Sequence, residues 1–163
     1  MIIYLKNKDT LQVDDFYFKC SIGKNGISRQ KIEGDKKTPA GKFKLEHLYF
    51  RNKRIKKPIT ELKAINIKKR MAWCDDAKSK KYNKLCQTSK NIKHEKLFRR
   101  DSKYDLLIPI KYNFNQPKPG KGSCIFIHLT KDYSPTAGCI ALKKNDFMIL
   151  LKLINKHTKI KII

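Results

Sequence analysis

Short apolar runs, rich in β-branched residues and separated by turn residues, dominate the chain and predict a mainly β fold. Strands are predicted at residues 1–5, 16–22, 41–50, 104–112, 123–129 and 158–163. In the last of these runs Lys and Ile alternate, which is typical of a strand with one buried face. Pro109 predicts an edge strand or a bulge, because proline cannot donate to a strand ladder.

The helical signal is confined to one place. Leu and Ile recur at helical spacing after Asn145, which predicts a helix capped by Asn145 and ending near residue 155. Residues 71–103 are polar and poorly periodic, so a loop with short helical pieces is predicted there, and so long an insertion is often functional. The length fits one domain over residues 1–163, mainly β with minor α.

The segment 125–142 carries the strongest candidate chemistry. An apolar run ends at His128, a polar loop follows, and Thr136-Ala137-Gly138-Cys139 leads into the next apolar run. His128 and Cys139 are eleven positions apart, so one reversal of the chain can bring them together. A thiol and a base that deprotonates it are the minimal equipment for nucleophilic catalysis. The alternative is a buried cysteine that acts as a small hydrophobic residue.

The residues around Cys139 suit an acyl-transfer site. Glycine allows close approach of the backbone to a ligand, so Gly138 and the Cys139 amide are candidate donors to an oxyanion. Thr136 and Ser134 supply hydroxyls that can orient a histidine. Each of these residues also fits an ordinary turn.

The motif resembles the catalytic motif of the L,D-transpeptidase (YkuD-type) family, a histidine followed after a spacer by Ser/Thr-x-Gly-Cys. Residues 34–43 look like the Gly-x-x-x-Thr-Pro-x-Gly-x-Phe stretch of the family. Further segments look like those of a proteobacterial subgroup: Trp73-Cys74-Asp75-Asp76, Tyr82-Asn83, His94-Glu95, Phe98-Arg99, Tyr112-Asn113 and the run from Gly120 to His128. The resemblance covers nearly the whole chain. Ala137 stands where better-known members have a second histidine, and the spacing from His128 to Cys139 is shorter.

The resemblance implies a β-sandwich-like domain and a cysteine acyltransferase. Cys139 would attack the carbonyl of an L-configured residue in a peptidoglycan stem peptide, as the family attacks diaminopimelate, with His128 as the base. D-Ala would leave, and an amine would resolve the thioester. If water resolves it, the site is an L,D-carboxypeptidase or another amide hydrolase. Carbapenem-type β-lactams are expected to acylate the thiol. No metal or other cofactor is required, since amides can hold the oxyanion.

Substrate contacts are predicted mainly in the middle of the chain. Arg99 could clamp a carboxylate with two parallel hydrogen bonds or lie on a solvated face. Ser123 is placed in the pocket wall. The other predicted contacts form a polar and aromatic set that either recognises the stem peptide or builds a capped loop around a packed tryptophan: Trp73, Asp75, Asp76, Tyr82, Asn83, His94, Tyr112 and Asn113.

The net charge and the number of cysteines limit the remaining functional alternatives. A net charge of +25, from 39 basic and 14 acidic residues, suggests a polyanionic partner. The basic residues are dispersed and no nucleic-acid motif occurs, so attraction to a cell-wall polymer is favoured over specific nucleic-acid binding, with a non-catalytic basic module as the alternative. The five cysteines are odd in number and lack a CxxC, which argues against a disulfide framework and a standard zinc site. Cys20 and Cys124 are predicted to lie in the core.

The location of the protein stays open at this stage. No apolar run approaches the length of a membrane span, and the N-terminal residues do not form a signal peptide. A cytoplasmic location would follow from this, whereas the family's substrate implies the cell envelope. A monomer is expected.

Overall fold

The computed structural model describes residues 1–163 and consists of fifteen strands and one helix. The strands are β1 (Ile2–Lys6), β2 (Thr10–Val13), β3 (Phe16–Ser21), β4 (Ile27–Ser28), β5 (Thr38–Pro39), β6 (Gly41–Lys44), β7 (Leu48–Phe50), β8 (Ala64–Asn66), β9 (Met71–Cys74), β10 (Leu85–Gln87), β11 (His94–Lys96), β12 (Leu106–Pro109), β13 (Phe126–Leu129), β14 (Ile140–Leu142) and β15 (Lys159–Ile162). The helix α1 (Lys144–Leu153) follows β14. No helix is long and apolar enough to cross a membrane.

Ten strands form one curled, mixed sheet in the order β6-β15-β1-β2-β3-β14-β13-β12-β7-β8. Three neighbouring pairs are parallel, namely β1 with β15, β13 with β14, and β7 with β8, and the other pairs are antiparallel. A second sheet has the order β10-β9-β11, and β4 pairs with β5. The parallel pair β13 and β14 at the centre of the large sheet is the one that matters for the site.

The main core lies on one face of the large sheet, and in β1, β2 and β15 it follows from the alternation of buried and more exposed residues. β1 buries Ile3 and Leu5 while the residues between them are partly exposed, and β15 buries Ile160 and Ile162 in the same way. The helix α1 closes this core with Phe147 and its two buried leucines. Successive side chains of a strand point to opposite faces of the sheet, so the alternation of apolar and polar residues determines which face is buried.

The central strands β12, β13 and β14 are buried along their whole length, because the small sheet and its loops cover the second face. A cluster of eight buried residues fills this layer: Tyr49, Ile67, Trp73, Leu97, Tyr104, Leu107, Phe126 and Cys139. Trp73 packs edge-on against Phe126, with ring centroids 5.5 Å apart. The candidate nucleophile therefore belongs to the covered face.

The predicted mainly β fold with one helix is confirmed, and several element boundaries are corrected. The predicted strand over 41–50 is two strands, β6 and β7. The strand β2 was not predicted. Cys124 lies before β13 with a φ of 54° and is half-buried, so it is not a core strand residue, whereas Cys20 is buried in β3 as predicted.

Three further predictions were wrong for identifiable reasons. Residues 71–103 contain no helix but three short strands, because pairing with β9 orders β10 and β11. Pro109 is the last residue of β12, which is an inner strand between β13 and β7. The missing amide hydrogen of the proline therefore affects only the end of the hydrogen-bond ladder. The helix begins at Lys144 with Lys143 at the N-cap, and no side chain caps it, so Asn145 lies inside the first turn.

Candidate active site

The parallel pairing of β13 and β14 brings His128 and Cys139 to one cavity. His128 lies opposite Ala141, and the Phe126 amide donates to Cys139 Sγ at 3.4 Å. Because alternate residues of a strand share a face, Phe126 and His128 lie on the same side of the sheet. Cys139 and His128 both line a cavity of about 610 Å³. The two residues that the sequence singled out are therefore brought together by the sheet.

The turn before Cys139 is held by Thr136 and needs a glycine. Thr136 Oγ1 donates to the Cys139 carbonyl at 2.6 Å and accepts from the Gly138 amide at 3.1 Å. Gly138 has a φ of +136°, and a Cβ there would lie 2.8 Å from the Lys37 carbonyl oxygen. The Gly138 amide is thus engaged by Thr136, which leaves the Cys139 amide as the candidate oxyanion donor.

The Cys139 thiol is buried and hydrogen-bonded at both ends. It donates to the Cys124 carbonyl at 3.1 Å and accepts from the Phe126 amide. Burial raises the pKa of the thiol to about 12, and the Phe126 hydrogen bond opposes this only in part. The thiol is therefore protonated at neutral pH, and an attacking thiolate has to be formed together with substrate binding.

The His128 ring is oriented so that one nitrogen can act as a base. Its Nδ1–H donates to the Leu129 carbonyl at 2.9 Å, which leaves Nε2 as the proton acceptor of the neutral ring. Tyr104 packs edge-on against the ring at 5.4 Å between centroids. Burial lowers the pKa of His128 to about 4. His128 is therefore a weaker base than an ordinary histidine, and at rest both the thiol and the imidazole are neutral.

Only some of the predicted substrate residues line the cavity. Asp75, Arg99 and Ser123 do so, together with Glu95. The Arg99 guanidinium already donates to the Asp101 carboxylate, with contacts of 2.9, 3.2 and 2.6 Å. These hydrogen bonds lower the pKa of Asp101 to about 2. A clamp on a substrate carboxylate would have to displace this internal ion pair. Residues of the set outside the cavity lining are Trp73, Asp76, Tyr82, Asn83, His94, Tyr112 and Asn113.

Asn83 is the centre of a buried hydrogen-bond network behind the site. Its Oδ1 accepts from Trp73 Nε1 at 3.0 Å and from the Cys124 amide at 3.1 Å. Its Nδ2 donates to the carbonyls of Tyr112 at 3.0 Å and Asn113 at 2.6 Å. The network fixes Cys124, whose carbonyl accepts from the nucleophile. These residues therefore hold the site in place. The hydrogen bonds that do so join residues 29 to 41 positions apart in the chain, so a local sequence motif does not reveal them.

The remaining predicted residues also hold loops. The Tyr112 hydroxyl donates to the Lys121 carbonyl at 2.6 Å. Asn113 Nδ2 donates to the Gly122 carbonyl at 2.9 Å, which closes the loop before β13. Asp76 accepts from the amide of Lys78 at 3.0 Å in a turn. The His94 Nδ1–H donates to the Ile92 carbonyl at 2.7 Å. Tyr82 donates to Glu33.

The cavity residues that sequence reasoning missed include Lys31, Glu33 and Tyr104. Lysine is seldom buried, so nothing local marks Lys31 as an inner residue. Tyr104 opened a predicted strand and was assigned no role. No group of three or more His, Cys, Asp or Glu side chains is arranged to hold a metal ion, and all five cysteines are free thiols.

Replacing Asn83 with alanine is expected to destabilise the fold by about 3 kcal/mol, because two buried donors and two buried acceptors lose their partners. Denaturant unfolding measures this loss. Asn52→Ala, in an exposed loop, is the matched control and should change stability by less than about 0.5 kcal/mol. Equal stability of the two variants would contradict the role of the network.

Stability is expected to fall as the pH is lowered from about 6.5 to 4, because the unfolded state protonates His128 in this window while the folded state does not. The lowered pKa of His128 contributes about 3 kcal/mol to the free energy of unfolding at neutral pH, and this contribution is lost across the window. Denaturant unfolding across this range should show a smaller drop for His128→Gln than for the parent. His157→Gln, in an exposed turn, should keep the parental drop. Identical pH profiles for His128→Gln and the parent would contradict the burial of a neutral imidazole.

Two solved structures are similar to this chain in fold. The helical cell shape determining protein Pgp2 from Campylobacter jejuni aligns with a TM-score of 0.52 and 19% identity, over 99% of this chain and 46% of that one. The Bdellovibrio bacteriovorus protein Bd1075 aligns with a TM-score of 0.53 and 16% identity, over 99% of this chain and 47% of that one. The chain thus spans a little under half the length of these proteins. A search of curated protein sequences found no match.

The family comparison covers nearly the whole chain. Residues 1–162 match the model of the L,D-transpeptidase catalytic domain, YkuD. This range includes the turn around Cys139, the His128 strand and the loops that line the cavity. The chain belongs to the YkuD family of L,D-transpeptidase catalytic domains, a family of peptidoglycan enzymes.

Proposed function

We propose that this chain is a cysteine acyltransferase that acts on peptidoglycan stem peptides by L,D-transpeptidation. The observation that carries the proposal is the shared sheet face of Cys139 and His128, both lining a cavity of about 610 Å³. A buried thiol and an oriented imidazole in one cavity fit acyl transfer through a thioester. We also propose that the Thr-Ala-Gly-Cys turn marks a subgroup of the family, since Ala137 stands where better-known members have a second histidine.

The proposed reaction starts from a neutral pair. As Cys139 Sγ attacks the carbonyl carbon of the L-configured residue, its proton passes to His128 Nε2. The Cys139 amide stabilises the oxyanion of the tetrahedral intermediate. The intermediate collapses to a thioester while the imidazolium gives its proton to the departing amine of D-Ala. An amine of a second peptide then attacks the thioester and restores the thiol.

The role in the cell is proposed from the family and from one neighbour. The Campylobacter jejuni structure is that of a helical cell shape determining protein, and the chain shares its fold. We propose a part in building or remodelling the cell wall for this chain as well. The net charge of +25 would favour capture of an anionic cell-wall polymer.

The direct test is incubation with purified tetrapeptide fragments of peptidoglycan, followed by mass analysis of products and of the intact protein. We expect release of D-Ala, a thioester on Cys139, and products joined to an added amine. Release of D-Ala with water as the only acceptor would make the site a carboxypeptidase. No thioester and no product with any acceptor would overturn the proposal.

Carbapenem-type β-lactams are expected to acylate Cys139, since their strained carbonyl suits a thiol acyl-transferase. Intact-mass spectrometry should show one adduct per chain, and this adduct should be absent from Cys139→Ser. Cys20, Cys74 and Cys86, which lie outside the cavity, serve as internal controls. An adduct mapped to Cys86, which lies outside the cavity, would count against selective acylation.

A further inference from the structure

One face of the large sheet is open to solvent and carries an array of lysines. It is the outer face of β6, β15, β1, β2 and β3, opposite to the face that buries the main core. Side chains on it alternate with the buried side chains of the same strands. We call this face the lysine surface, after the six lysines that it presents: Lys6, Lys19, Lys42, Lys44, Lys159 and Lys161.

The strand register places tyrosine rings among these lysines. One row of side chains runs across all five strands and consists, in order, of Lys42, Lys161, Tyr4, Gln12 and Tyr17. Neighbouring strands lie about 4.8 Å apart, so this row extends about 19 Å across the sheet. Tyr17 is 64% exposed, and Gln12 Nε2 donates to its hydroxyl at 3.0 Å, which restrains the ring on the surface.

Carboxylates do not balance the charge of the lysine surface. None of its six lysines takes part in an ion pair. The nearby acidic residues are confined to the two hairpin turns at opposite ends of β2, where Asp9 and residues 14–15 lie. An array of like charges repels itself, and an anionic partner relieves this repulsion.

The lysine surface reaches the rim of the candidate active site. Ser21 follows Lys19 by two positions in β3 and lies on the same face, and it pairs with Ala141, which lines the cavity. Lys19 Nζ also lies 5.0 Å from the centre of the Tyr133 ring, in the loop that joins β13 to β14. A partner on the lysine surface is therefore held beside the cavity.

The chemistry of the array favours an extended anionic surface over a single anion. All six cations are lysines, which act as hydrated point charges and lack the planar fork with which arginine binds one carboxylate or phosphate. The register spreads them in two dimensions over the strands instead of directing them to one point. Tyrosine favours the boundary between water and an apolar phase. These features match the headgroup layer of a bilayer that contains anionic lipid.

We propose that the lysine surface docks the protein on a bilayer rich in anionic lipid. The ammonium groups contact the lipid phosphates, and the rings of Tyr4 and Tyr17 rest at the level of the headgroups. The protein lies on the bilayer and does not cross it. The proposal does not depend on acyl transfer, and it places the cavity beside the membrane surface.

Sedimentation of the full chain with lipid vesicles tests the proposal. Vesicles of phosphatidylglycerol and phosphatidylcholine in equal parts are compared with vesicles of phosphatidylcholine alone. We expect the protein to bind the anionic vesicles and not the neutral ones. Binding should fall as the salt concentration rises from about 0.1 M to about 1 M, because the screening length falls from about 10 Å to about 3 Å.

Two double variants separate the lysine surface from the total charge of the chain. Lys42→Gln/Lys161→Gln removes two charges from the lysine surface. Lys56→Gln/Lys57→Gln removes two charges from the exposed part of the loop between β7 and β8, at the other edge of the sheet. One lysine at an anionic membrane strengthens binding roughly fivefold, so the first variant should bind about 25-fold more weakly and the second nearly as the parent does. Tyr17→Ala should weaken binding without changing its salt dependence.

The outcomes also separate membrane docking from the proposed function. Equal losses in the two double variants would assign the attraction to total charge and would overturn the proposal. Absence of binding to anionic vesicles would overturn it as well, whether or not polygalacturonate, an anionic polysaccharide, binds. Both double variants should turn over a soluble tetrapeptide at the parental rate. Cys139→Ser should bind vesicles as the parent does, so a failure of acyl transfer leaves the lysine surface standing.

Discussion

Replacing Cys139 with serine is expected to abolish turnover and to leave the fold intact. An alcohol is far less acidic than a thiol and is a poor nucleophile without a strong base. Burial lowers the pKa of His128 to about 4, so the available base is too weak to activate a hydroxyl. A serine hydroxyl can still donate to the Cys124 carbonyl and accept from the Phe126 amide, so we expect a change in stability of less than about 1 kcal/mol.

Product analysis and a thermal melt on the same preparation test this prediction. Cys86→Ser is the matched control, because Cys86 is a free thiol outside the cavity, and it should keep parental activity. Tetrapeptide turnover by Cys139→Ser at more than a trace of the parental rate would remove Cys139 from the reaction. A collapsed melt would instead show that the thiol is needed for packing.

The meeting of His128 and Cys139 in one cavity was predictable from sequence because its geometry is local. The run that leads to His128 and the run after Cys139 are both apolar and contain isoleucine, and the loop between them joins the adjacent strands β13 and β14. The turn residues Thr136 and Gly138 also stand in the motif itself. The sequence did not reveal the protonation states of Cys139 and His128, because burial by residues distant in the chain shifts the pKa values of both groups.

The supporting layer was not predictable from local pattern. β10 and β11 are three residues each, too short to show a periodicity, and they are ordered by pairing with β9. Asn83 resembled a substrate contact, yet its four hydrogen bonds make it a positioning residue. Lys31 resembled one of many surface lysines, although it is buried. In each case the decisive partners are remote in sequence.

Replacing His128 with alanine is expected to lower kcat/KM by roughly 10²-fold or more, the usual scale for loss of a general base. Because a base works only when unprotonated, and burial lowers the pKa of His128 to about 4, the parent should keep its activity as the pH falls from 7 to about 5. An unshifted histidine would lose activity below about 6.5. The activity that remains in the variant should rise with pH toward the ionisation of Cys139, whose pKa burial raises to about 12.

Steady-state kinetics on a soluble tetrapeptide from pH 5 to 9 measure both effects. His94→Ala is the matched control, because His94 lies in β11 outside the cavity lining, and it should retain the parental rate and profile. His128→Gln serves as a second variant, since its amide can still donate to the Leu129 carbonyl and support the strand while it cannot act as a base. Near-parental activity in His128→Gln would mean that His128 only orients the loop, and that another group takes the thiol proton.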